Sequence, residues 1–172
     1  MAVKLVKPIN HKKVVKITNQ DFEAKMRELR VNSDIAVAVS GGPDSLALMH
    51  LSNRYALNNN INLTVLSIDH GIRAESSKEI VWLEKIAKKN KINFYSTKLK
   101  KKINSSNTLS KARTLRYEAL SKYCNKKKIK FLLTAHHLDD EIENFLMRLI
   151  RGSGVKGLSS LKVKSRYKNT KL

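Results

Sequence analysis

One cysteine, two prolines, six glycines and one tryptophan are all that this 172-residue chain holds of those types. With Cys124 alone, no internal disulfide can form and no Cys-x-x-Cys metal site can be built from the chain itself. So few prolines and glycines exclude a collagen-like or low-complexity chain, and 41% hydrophobic residues exclude compositional disorder. No apolar stretch reaches the length of a transmembrane helix. Met1-Ala2-Val3-Lys4-Leu5-Val6-Lys7 lacks the continuous apolar core of a signal peptide. The expectation is a cytoplasmic protein without a membrane partner, long enough for one domain with its own core.

Acid is scarce as well: 14 Asp and Glu stand against 35 Lys and Arg, for a net charge of +21. An imbalance of that size repels itself unless a polyanion neutralises it, and nucleic acid is the obvious partner. An alternative origin exists. Lysine supplies most of the positive charge and asparagine is abundant, as at Asn58-Asn59-Asn60. The two rise together in AT-rich coding sequence with no function attached.

What is present is an alternation of apolar runs with helical stripes. Residues 1–17 read as a basic arm. From Thr18 the spacing of Phe22, Met26 and Leu29 predicts a helix, with Asp21 and Glu23 in its first turn. Residues 35–39 form an uninterrupted apolar strand, as expected of one buried on both faces. A helix is predicted over 44–57 and a second strand over 63–68. Ser76 and Glu79 have capping-box spacing ahead of a helix striped by Ile80, Leu83, Ile86 and Ala87. A short strand at 93–96, a basic loop at 98–102, a helix over 109–127, a strand at 131–135 and a helix over 138–151 follow, with Gly152-Ser153-Gly154 ending the last. Residues 162–172 are a basic tail without periodicity. The alternation predicts an α/β fold, a doubly wound parallel sheet with helices on both faces, Rossmann-like in outline.

In such sheets ligands sit beyond the carboxyl ends of the strands. Three polar clusters fall there. Ser40-Gly41-Gly42-Pro43-Asp44-Ser45 follows the first strand. Paired glycines let backbone N–H groups approach an anion, and a helix N-terminus adds partial positive charge. No Lys follows the glycines, so this is not the Walker loop. Asp44 beside phosphates makes chemical sense with Mg²⁺ between them. An ordinary turn with a serine cap is the plainer alternative. Asp69-His70-Gly71-Ile72-Arg73, after the second strand, reads either as the lining of a ribose or base pocket or as an Asx turn. His136-His137-Leu138-Asp139-Asp140-Glu141-Ile142-Glu143-Asn144 follows the fourth. There Asp140 and Glu143 share a helix face that could hold Mg²⁺. Helix capping accounts for the acids but not for adjacent histidines, and zinc would want a different spacing. Arg113 and Arg116, three apart on the long helix, could contact one phosphate together or lie on a solvated face.

Taken in order, these segments resemble a known family. Ser40–Ser45 is similar to the SGGxDS loop of the N-type ATP pyrophosphatases, or PP-loop proteins, whose fold is adenine nucleotide alpha hydrolase-like. Asp69–Arg73, Ala112-Arg113, Arg116-Tyr117, Ala135–Asp140 and Arg151-Gly152-Ser153-Gly154-Val155-Lys156-Gly157-Leu158 narrow the likeness to the catalytic domain of tRNA(Ile)-lysidine synthetases. The 2-thiocytidine tRNA enzymes are near relatives but carry paired Cys-x-x-Cys motifs. The resemblance implies a PP-loop domain over 18–161. The ligase chemistry it implies adenylates the wobble cytidine of a CAU-anticodon tRNA(Ile) with ATP and Mg²⁺, then joins free lysine to give lysidine, turning AUG reading into AUA reading. Thiolation, or mere nucleotide and RNA binding, are the alternatives. By this resemblance Ser40, Gly41, Gly42, Pro43, Asp44 and Ser45 hold the pyrophosphate portion of ATP, with Asp69 and His70 beside the nucleotide. Asp44 and Asp140 bind Mg²⁺. Arg113, His136 and Glu143 complete the catalytic set. The family has Gln and Thr where this chain has Glu141 and Asn144. Its members usually continue into C-terminal tRNA-binding domains, which the chain is expected to lack, and a homodimer is left open.

Overall fold

A computed structural model describes residues 17–69, 76–98, 108–135, 166–167 and 170–171, without the side chains of 76–77, 108–112 and the last four. Helix α1 (Asn19–Glu28) opens on Thr18, whose hydroxyl accepts from the Asp21 N–H at 3.2 Å while the Asp21 carboxylate accepts from the Thr18 N–H at 2.9 Å. That reciprocal cap satisfies donors at both ends of the first turn. Strand β1 (Ile35–Ala38), helix α2 (Pro43–Asn58), strand β2 (Leu63–Asp69), helix α3 (Ser76–Lys89), strand β3 (Asn93–Lys98), helix α4 (Thr108–Lys126) and strand β4 (Phe131–Thr134) follow.

The strands run in the order β3-β2-β1-β4, all parallel. The crossovers through α2 and α3 step one way along the sheet, and the crossover through α4 steps back. Right-handed connections therefore place α2 and α3 on one face and α4 on the other. The buried side chains follow the two-residue period of a strand. Ile35, Val37 and Val39 of the first strand and its end pack with Leu63, Val65 and Phe131 against Met26, Met49, Tyr55, Ala56, Leu83 and Ala87. The alternate residues Ala36, Leu66 and Leu132 pack against Leu120, Cys124 and Ile129. The expected doubly wound α/β sheet is thus present.

Two short strands, β5 (Arg166–Tyr167) and β6 (Thr170–Lys171), extend the sheet beyond β4. Lys171 pairs with Phe131 in parallel, and β5 runs antiparallel to β6. The sequence has no periodicity there, because two-residue strands carry none. β3 is longer than expected and takes Lys98 out of the basic loop into the ladder. The helix expected over 138–151 lies outside the described residues.

The four helix-to-strand turns among the described residues share one device. Arg30, Asn60, Lys91 and Lys128 have positive φ, between 52° and 58°. Around each, two backbone bonds close the helix: Val31 N–H to Met26 C=O and Arg30 N–H to Arg27 C=O after α1, with the same pattern at Ile61/Asn60, Ile92/Lys91 and Ile129/Lys128. This is the Schellman arrangement, which usually has glycine at the left-handed position. With so few glycines, the chain uses Arg, Asn and Lys instead, and an apolar residue follows each time. Val31, Ile92 and Ile129 are buried there.

Candidate nucleotide site

The site begins where β1 runs out of apolar residues. Val39 still bonds across to Leu66, its N–H to the carbonyl at 2.9 Å. The chain then turns at Gly41, whose φ of +92° is a conformation side chains rarely adopt. Gly42, at φ −70° and ψ 158°, is the N-cap of α2, and Pro43 opens the helix. Pro has no N–H to leave unsatisfied and its fixed φ suits a first helical position. No side chain caps α2. Its first-turn N–H groups and the positive end of its dipole therefore face the glycine turn, the arrangement that binds phosphate.

The loop is held by Ser45, 6% exposed. Its hydroxyl donates to the Gly42 carbonyl at 2.8 Å and accepts from the Ser40 N–H at 3.3 Å. The Ser40 hydroxyl lies 3.4 Å away. The two serines singled out as phosphate ligands thus also fix the shape of the cradle. Asp44, exposed in the first turn of α2, stands at the rim. A hard carboxylate oxygen beside an anion cradle suits Mg²⁺, which takes one or two carboxylates plus phosphate oxygens. Among the described residues no group of three or more His, Cys, Asp or Glu clusters for a metal.

Beside the cradle, a cleft opens across the carboxyl ends of three strands. β1 contributes Ala38 and, past its end, Val39 and Ser40; β2 contributes Leu66, Ser67 and Ile68; β4 contributes Thr134, followed by Ala135. Ser45 of α2, Glu79, Ile80 and Leu83 of α3, and Arg116 and Leu120 of α4 complete it. Leucine and isoleucine walls suit a flat base, hydroxyls suit a ribose, and a guanidinium suits phosphate or developing negative charge.

The structure sorts the residues the sequence suggested. It brings Ser40 and Ser45 to the cleft and sets Gly41, Gly42, Pro43 and Asp44 in the turn that borders it. Of the arginine pair, Arg116 lines the cleft, while Arg113 is exposed with its guanidinium 5.8 Å from the Tyr117 ring centre. Arg116 also lies over that ring, at 5.6 Å. Asp69 is 5% exposed at the end of β2, its carboxylate 3.7 Å from the Lys98 ammonium of β3, and it is not part of the cleft wall. His70, His136, Asp140 and Glu143, with Glu141 and Asn144, lie outside the described residues. The cleft adds Ser67, Glu79 and Thr134, which no sequence motif marked as ligand-facing. Their only signal was a polar residue at or near a strand end, or, for Glu79, a place in the first turn of α3.

A parallel sheet with an uncapped glycine-turn helix at its switch region defines an α/β nucleotide-binding protein of the phosphate-loop kind. More narrowly, the chain belongs to the PP-loop domain family, whose model matches residues 10–172. This family uses ATP. The chain is 50% identical over 131 residues to the tRNA(Ile)-lysidine synthase of Rickettsia bellii, covering 76% of this chain and 30% of that protein. It is 42% identical over 144 residues to the tRNA(Ile)-lysidine synthase of Rickettsia typhi, covering 82% and 34%. The chain thus spans about a third of the length of these relatives. Among solved structures, the U34-tRNA thiolase NcsA from Methanococcus maripaludis, with its 4Fe-4S cluster, matches with a TM-score of 0.68 and 26% identity, over 83% of this chain and 53% of that one. No helix among the described residues is long and apolar enough to cross a membrane.

Proposed function

We propose that this chain is the ATP-using unit of a tRNA(Ile)-lysidine synthase. The observation that carries the reading is the uncapped α2 N-terminus, turned by Gly41 and braced by Ser45, opening on a cleft with apolar walls and Arg116. It is supported by relatives 42–50% identical to the chain that are tRNA(Ile)-lysidine synthases. ATP lies with its base against Leu66, Ile68 and Leu83 and its phosphates on the Ser40–Ser45 turn. The wobble cytidine of a CAU-anticodon tRNA attacks the α-phosphate through its 2-carbonyl oxygen, and pyrophosphate leaves toward the loop amides. The ε-amine of free lysine then displaces AMP. Arg116, with Arg113 near it on α4, offsets negative charge developing on phosphate. Asp44, with Asp140 as the second expected carboxylate, would hold Mg²⁺, which when bound would supply charge neutralisation at the phosphates. His70, His136 and Glu143 are proposed to stand around the same centre, with Asp69 behind the nucleotide. The compartment is the cytoplasm, where ATP, lysine and tRNA meet, and light scattering tests the homodimer.

Thiolation is the second reading, favoured by the fold likeness to the archaeal thiolase. The one cysteine argues against it. Cys124 is fully buried in α4 and burial pushes its thiol up to about 11, which disfavours a role as sulfur carrier or thiolate ligand at neutral pH. The deciding assay is pyrophosphate release from ATP with a CAU-anticodon transcript. Release that requires both the transcript and lysine is expected. Release without lysine, coupled to sulfur incorporation, overturns the reading.

A further inference from the structure

Helix α3 lies along the cleft, but most of its surface faces away from it. Leu83 and Ala87 are buried and Ile86 is packed against the core. On the opposite side Lys78, Trp82, Lys85 and Lys89 are all exposed, at i, i+4, i+7 and i+11. That spacing sets them on one stripe, about 16 Å long at 1.5 Å per residue. The two acids described on α3, Glu79 and Glu84, project to either side of the stripe. No ion pair among the described residues engages the three ammonium groups. Trp82, the chain's only tryptophan, is 46% exposed, with Val81 beside it at 51%. No ring or cation–π contact among the described residues engages its indole.

A half-exposed indole between unpaired lysines has the composition of a single-stranded RNA platform: cations for successive phosphates and a flat ring for an unstacked base. We propose that this face of α3 docks a looped or single-stranded stretch of RNA. The occupant follows from charge complementarity with a chain of net charge +21. An anionic membrane is the competing occupant of a basic helix with a tryptophan. Membrane-surface helices, however, bury a broad apolar face, and the apolar face of α3 is already spent on the protein core. The proposal rests on the reading of the chain as a tRNA-modifying unit only for the choice of probe; the surface lies outside the nucleotide cleft.

Because Trp82 is unique, its intrinsic fluorescence reports on this face directly. The full chain is titrated with a CAU-anticodon stem-loop transcript, while fluorescence and, separately, anisotropy of the labelled transcript are followed at several salt concentrations. Quenching of Trp82 on binding is expected. The Lys78→Gln, Lys85→Gln, Lys89→Gln triple variant should lower affinity at least about tenfold and flatten the log–log salt slope by about 2, the share of three single-strand phosphates. Trp82→Phe, which keeps a ring, should retain more affinity than Trp82→Ala, for which a loss of about tenfold is expected. Melting temperature and ATP affinity should stay at the parent values in every variant. The inference is overturned if RNA binds without altering Trp82 fluorescence, if it fails to bind, if the triple variant binds as tightly as the parent, or if phosphatidylserine vesicles compete the transcript away and blue-shift Trp82. Transcript binding through α3 without lysine-dependent pyrophosphate release would sink the functional reading and leave this surface standing.

Discussion

Replacing the two adjacent glycines with alanine, one at a time, separates the backbone demand of the phosphate turn from its ligand demand. At Gly41 an added Cβ meets no heavy atom within 4 Å, yet φ is +92°. Any cost of Gly41→Ala is therefore backbone strain rather than collision, about 1–2 kcal/mol. For a domain of this size that lowers the melting temperature by about 2–8 °C. At Gly42, φ is ordinary and the nearest atom to an added Cβ is the Ser40 hydroxyl at 3.9 Å. Alanine is a poor N-cap, but it also loses less chain entropy on folding than glycine does. These effects oppose each other, so Gly42→Ala should stay within about 0.5 kcal/mol of the parent. Calorimetric melting measures both. Titration calorimetry with ATP then gives the functional half: Gly42→Ala should bind ATP more weakly at unchanged melting temperature, because a methyl group occupies space in the cradle. The reasoning fails if Gly42→Ala melts below Gly41→Ala, or if Gly41→Ala keeps both the parent melting temperature and the parent ATP affinity.

Three further outcomes follow from the same structure. Asp44→Asn should reduce pyrophosphate release by about a hundredfold or more while leaving transcript affinity nearly unchanged, and a large loss of RNA binding would contradict the metal-ligand role. The Cys124 thiol is raised by burial from 9.0 to about 11, so it stays protonated in the folded state where the unfolded chain would ionise; stability is present in full below pH about 9 and is lost as pH rises through about 11, which urea titrations across that window and a Cys124→Ala comparison measure. The Ser52 hydroxyl is fully buried in α2 with no hydrogen-bond partner among the described residues, so Ser52→Ala should leave urea-measured stability equal or higher by up to about 1 kcal/mol; a loss of more than that would reveal a bond to the hydroxyl.

Much of this protein was legible in its residues, because strand and helix leave different periods and buried parallel strands leave none. The runs at 35–39, 63–68 and 131–135, the stripes on α1 and α3 and the polar clusters at strand ends predicted the parallel sheet and the edge at which ligands gather. The turn at Ser40–Ser45 was readable because glycine, proline and serine have few other reasons to stand together there. Local chemistry could not tell which member of a pair would face the cleft. Arg113 and Arg116 look alike in the chain and both lie over Tyr117, but the packing of α4 over the sheet turns Arg116 into the cleft and leaves Arg113 exposed. Asp69 looked like a ribose ligand from its place at a strand end. Pairing of β2 with β3 in register also sets Lys98 beside it, a contact between residues far apart in sequence that the strand-end position did not show. The Schellman turns at Arg30, Asn60, Lys91 and Lys128 left no glycine to read, since the hydrogen bonds and the buried residue after each turn impose the left-handed conformation. The sequence by itself determined the order of elements, the phosphate turn and the excess of positive charge, all properties of neighbouring residues or of composition. Only the tertiary structure decided the cleft, the inward arginine and the unpaired lysine and tryptophan face of α3, because each depends on which surface the core had already consumed.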